Sequence, residues 1–148
     1  MALRLSSDLK TYLVNRIVEK IAGTVGTAGT TVLRIYTGSQ PATADDGTSG
    51  TLLCQIVNIG WGNATTHGGT SGTIALAAAG GYAGTAVASG DAGWARMLTI
   101  ANGYTGSAAT HTIDGDVGTA ATCTFVINAV GITSGGQVSL LTAPVSIP

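Results

Sequence analysis

The segment HTIDGDVGT (His111–Thr119) brings an imidazole and two carboxylates, Asp114 and Asp116, close together along the chain. Alternating acids beside glycine can open a calcium loop, but such a loop needs further oxygen ligands and a bidentate glutamate. The chain's one glutamate, Glu19, lies almost a hundred residues upstream, so a tight turn ending a strand is the expected role. Asp45 and Asp46 precede Gly47, which is ordinary turn chemistry. Two histidines, His67 and His111, and two cysteines, Cys54 and Cys123, fall short of a spaced zinc set. Both cysteines alternate in phase with apolar neighbours and are expected as buried free thiols, with a disulfide between them as the alternative. No Gly-x-Ser-x-Gly elbow occurs, and GTVGTAG (Gly23–Gly29) lacks the lysine and Ser/Thr ending of a phosphate loop. The expectation is therefore no enzyme, no metal and no cofactor.

The elements around these residues follow from composition and period. The chain has 148 residues, 45% hydrophobic but 9% charged, with 23 glycines and a net charge of −1. That balance is the reverse of a disordered chain, and it offers no long-range attraction to nucleic acid or to an anionic membrane. The longest apolar stretch, Thr73–Ala88, is Ala- and Gly-rich and too weakly hydrophobic to span a bilayer. With no signal-like N-terminus, a soluble, unsecreted protein is expected. So few charges leave a weakly polar surface that a free monomer would struggle to keep in solution, and a homo-oligomer, dimer or trimer, is expected.

Residues 1–22 read as an amphipathic helix capped by Ser6 or Ser7, with Leu9, Tyr12, Leu13, Ile17 and Ile21 on one face. They hold four of the six basic residues, Arg4, Lys10, Arg16 and Lys20. This helix either packs on its own domain or serves as an arm that docks on another subunit. Residues 23–31 read as a Gly/Thr-rich linker. From 32 to 148 the period is two: TVLRIYT and TLLCQIV are strands, followed by candidates at Gly72–Ala77, Trp94–Ile100, His111–Ile113, Ala121–Ile127, Gln137–Leu141 and Val145–Ile147. Turns are expected at DDG, SGDAG, ANGY, IDGDVG and TSGG. The class is mainly β, an antiparallel sandwich or jelly roll with one N-terminal amphipathic helix. Trp94 and Phe125, on strands of a chain with 5% aromatics, are expected to dominate the core.

The stretch LRIYTGSQPATADDGTSGTLL (Leu33–Leu53) resembles a segment of small structural proteins of tailed bacteriophages: a strand ending in Ile-Tyr, then Gly-x-Gln-Pro, an Ala- and Asp-containing loop, and Gly-Thr-Leu-Leu. Three later patches agree in order: ASGDAGWARM (Ala88–Met97), IDGDVGT (Ile113–Thr119) and the closing VGITSGGQVSLLTAPVSIP. The chain departs from the pattern after Trp94, where Ala95 replaces a bulky aromatic. The resemblance implies a virion component, assembled in the bacterial host cytoplasm. One expectation is a capsid decoration or cement protein bridging subunits of the major capsid protein. The alternative is a tail, neck or fibre-associated component or a host-surface binding module. The candidate contact residues are Leu9, Tyr12, Arg16 and Lys20 on the helix and Gln40, Pro41, Asp45 and Asp46 in the long loop. That loop is read as a contact element or as a mobile surface connection.

Overall fold

The computed structural model describes residues 5–22, 28–61, 73–74, 76, 81–100 and 109–146. One helix, α1 (Ser7–Ala22), precedes eleven strands: β1 (Ala28–Tyr36), β2 (Leu52–Gly60), β3 (Thr73–Ile74), β4 (Tyr82–Thr85), β5 (Gly90–Asp91), β6 (Trp94–Ile100), β7 (Ala109–Gly118), β8 (Phe125–Ile127), β9 (Gly131–Ile132), β10 (Gln137–Thr142) and β11 (Val145–Ser146). The mainly β character with one N-terminal helix stands. The first strand begins at Ala28, inside the expected linker, where Ala28 pairs with Gly60 and Thr31 with Ile59 and Thr99. Residues 23–27, His67 and ANGY lie outside the described residues.

Seven strands form one sheet in the order β2-β1-β6-β7-β8-β10-β4, and two short pairs, β3 with β11 and β5 with β9, flank it. Every pair is antiparallel except β7 with β8. The two ends of the row come back together. Cys54 of β2 bridges Ala86 just after β4, and Val87 N–H donates to Leu53 O at 2.7 Å. The Tyr82 hydroxyl donates to Gly60 O at 3.2 Å. Strand order thus describes a single, nearly closed sheet, where the sequence reading expected the two layers of a sandwich or jelly roll. Gly84 sits on this seam, and a Cβ there would fall 2.3 Å from Gln55 O, so only glycine lets β4 approach β2 so closely. Three register shifts between β1 and β2 supply bulges, and Asn58 takes φ 57°. Bulges bend and twist a strand, which is what closure requires.

Inside the sheet, Leu33, Ile35, Leu53, Ile56, Met97, Phe125 and Leu140 belong to one buried cluster. α1 lies across one end, over the start of β1, the end of β6 and the start of β7. The Ser6 hydroxyl accepts from Leu9 N–H at 3.3 Å as the N-cap. At the other terminus, Thr31 and Thr99 hydroxyls donate to Ile21 O at 3.0 and 2.6 Å, and Thr99 also reaches Lys20 O. Two strands therefore satisfy carbonyls that a helix end leaves open. The inward face is rotated from the expected one: Ile21 is buried as expected, but beside Val14 and Val18, while Leu9, Tyr12 and Ile17 are 43%, 55% and 38% exposed. Both stripes are apolar. The short branched Val14 and Val18 sit where the helix meets the sheet end.

Two strand assignments also change. IDGDVG is no turn: it lies within β7, with Asp114 opposite Arg96 and Asp116 opposite Trp94. Ala121–Thr124 forms a turn before β8, so Cys123 sits in that turn, half-buried, while Cys54 is buried in β2. Both thiols are free. Burial pushes the Cys54 thiol up to about 11.

Candidate functional site

The strands β2, β1, β6 and β7 carry buried side chains on both faces. On the face away from the main core, Gln55, Arg34, Arg96 and Asp114 stand in one cross-strand row. Beside it Tyr36 stacks on Trp94 at 4.8 Å and 16°. Trp94 is fully buried like Phe125, but on this second face, with the Arg96 guanidinium 5.5 Å above its ring. Arg96 forms a two-pronged pair with Asp114, Nε to Oδ1 and Nη2 to Oδ2 at 2.6 Å each. Those hydrogen bonds hold the guanidinium above its usual pKa. Its remaining Nη1 donates to Asp46 O at 2.9 Å.

That last bond answers what the long loop does. Residues 37–51 form an Ω-loop with a closed neck: Thr37 N–H donates to Thr51 O, and Thr51 N–H to the Thr37 hydroxyl. Gly50, at φ 78°, stands where a Cβ would meet Thr37 O. Within the loop Ser49 donates to Ser39 O, and the Asp46 carboxylate accepts Thr43 N–H. Thr112 of β7 donates to Ala44 O at 3.0 Å. The loop is thus strapped over the sheet at two points, with Gln40, Asp45 and Asp46 exposed and Pro41 half-buried. These two bonds hold it as an outer cover on this face of the sheet.

Thr112 also borders an open groove of ≈ 360 Å³ between α1 and β7. Leu13, Ile17, Ile21 and Ile113 give it apolar walls, and the ionisable groups along it, Arg16, Lys20 and His111, are all basic. Arg16 lies 5.0 Å over the Tyr12 ring and pairs with Glu19. Of the helix candidates, Arg16 and Lys20 line the groove that Thr112 borders, and the loop that carries the candidates Asp45 and Asp46 is bonded to the same Thr112 at Ala44 O, whereas Leu9 and Tyr12 are exposed elsewhere on α1. The sequence reading had turned Leu13 and Ile17 inward and did not single out Arg96. An arginine in the middle of an apolar strand, as in WARML, was the available signal for a buried ion pair.

The opposite end of the sheet is built from residues 86–93 and 128–136. Ala86 N–H donates to Gly136 O, Gly135 N–H to Ala86 O, Ala92 N–H to Val130 O, and Ser134 N–H to the Ser89 hydroxyl. The β5–β9 pair joins the two segments. Val87 and Val130 are 64% and 39% exposed there, beside a cleft of ≈ 200 Å³ next to Asn128 and Gln137. Asp91 is the one charged side chain in these two segments.

His111, Asp114 and Asp116 do not converge. Asp114 turns to Arg96, and Asp116 accepts from Thr124 N–H at 2.8 Å and the Thr124 hydroxyl at 2.6 Å. These bonds hold the Asp116 carboxyl below its ordinary value. Among the described residues no three His, Cys, Asp or Glu side chains form a metal set, and no helix is long and apolar enough to cross a membrane. No protein-family model, curated protein or solved structure matches the chain.

Proposed function

We propose that this chain is a non-catalytic structural component of a tailed-bacteriophage virion, a decoration or cement protein that binds across subunits of the major capsid protein. The observation that carries the reading is the end of the sheet opposite α1. It presents two hydrogen-bonded, nearly uncharged segments from which Val87 and Val130 project. A surface of small side chains with a few apolar points suits weak contacts repeated many times over a particle, where multivalency multiplies modest affinities. The ordered resemblance of Leu33–Leu53 and the three later patches to phage structural proteins supports the same reading.

The test is the copy number in purified particles of the virus that encodes the chain, measured against the major capsid protein on a gel. A cement protein is present at hundreds of copies, and Val87→Asp with Val130→Asp lowers its occupancy without lowering its melting temperature. A scarce band that copurifies with tails replaces this reading with the tail, neck or fibre-associated one.

A further inference from the structure

The groove and the Ω-loop carry opposite charge and lie side by side. The helix segment supplies Lys10, Arg16 and Lys20 against Asp8 and Glu19, whereas the rest of the chain has Arg34 and Arg96 against five aspartates. Arg96 is buried against Asp114, Asp116 is held by Thr124 and Asp91 lies in the β5–β9 pair, which leaves Asp45 and Asp46 as an exposed acidic pair on the loop. The Thr112 hydroxyl is bonded to the loop at Ala44 O, and the same residue borders the groove. A basic, apolar-walled groove and an acidic loop therefore flank one point. Such a patch is self-complementary: a two-fold axis near Thr112 sets the loop of each copy on the groove of the other, which is the condition for a closed isologous dimer.

We infer that two copies of this chain associate through this patch, Asp45 of each facing Lys20 of the other while Leu13 and Ile17 are covered by the partner's loop. The end of the sheet that carries Val87 and Val130 is left free, so the inference stands or falls separately from the particle reading. Asp45 and Lys20 are the informative pair. Asp46 is occupied within its own loop by Thr43, and Arg16 by Glu19.

Sedimentation equilibrium of the full chain tests the inference, with Asp45→Lys, Lys20→Asp and the two combined. The expected result is a monomer–dimer equilibrium that weakens at high salt as exposed charges are screened. Each single reversal should raise the dissociation constant about tenfold or more, and the combined variant should return it to within about threefold of the original. Both side chains are exposed, so each variant should keep the parent's melting temperature. If a reversal impairs folding, Asp45→Asn and Lys20→Gln replace it and each should still weaken the dimer. A protein that is still monomeric at about 100 μM overturns the inference. So does a trimer, or a dimer indifferent to all these substitutions.

Discussion

Arg96 shows how much a single side chain can organise. Its side chain is 8% exposed and that of Asp114 is 2% exposed, so neither charge has water to fall back on, and each depends on the other. Arg96→Ala leaves a buried carboxylate unpaired and releases the strap on the loop. It should lower stability by about 3–5 kcal/mol in urea unfolding, and it should speed proteolysis at residues 39–49. Asp116 makes a pH prediction. A carboxylate held below its ordinary value stabilises the fold above its unfolded pKa, and that contribution is lost as pH falls through the lower, folded value. Acid titration of the melting temperature should therefore be steeper in the parent than in Asp116→Asn, with the difference confined to pH below the usual carboxylate range. Two curves that run parallel down to pH 2 would remove Asp116 from the acid transition.

At the scale of elements, legibility followed how much each segment depends on its own residues. Trp94–Ile100 was readable to its boundaries because apolar alternation on two faces is a local property. The Ser6 cap was readable for the same reason. β4, Tyr-Ala-Gly-Thr, was not: its pairing rests on backbone and on the absence of a Cβ at Gly84, neither of which has a hydrophobic signature. Asp114, Gly115 and Asp116 read as a turn because those residue types are poor strand formers. Their strand is held because Arg96 stands opposite Asp114 and Thr124 bonds the Asp116 carboxylate, a tertiary fact. α1 carries two apolar stripes, and only the sheet end decides which is buried. The seam gives the test for this scale. Gly84→Val drives a side chain into Gln55 O and should destabilise the protein by about 1–3 kcal/mol or more, as overpacking does. The nearby Ala83→Val, on an exposed position of the same strand, should change it little.

For the molecule as a whole, the helix and the sheet are one folding unit. Val14, Val18 and Ile21 share the buried cluster with Leu33, Met97 and Phe125, so the residues of α1 contribute to the same core. A chain lacking residues 1–22 should show no cooperative thermal transition, because their loss uncovers the sheet end and orphans the Thr31 and Thr99 hydroxyls. A truncated chain that melts cooperatively near the parent temperature would show that the sheet closes its own end. Phe125→Ala, deep in the same cluster, should cost about 3–5 kcal/mol and serves as the internal scale for that comparison.

The meeting of β2 with β4 has a consequence for how such a sparsely charged protein stays out of aggregates. An open sheet ends in two rows of unpaired N–H and C=O groups, and proteins commonly guard those rows with lysine or proline. This chain spends few charges anywhere, yet where Val87 N–H bonds to Leu53 O and Cys54 bridges Ala86, one edge strand guards the other. Along this seam, strand-by-strand growth into fibrils is thereby denied its template. The adhesion that remains is through side chains, which meet only a surface shaped to receive them.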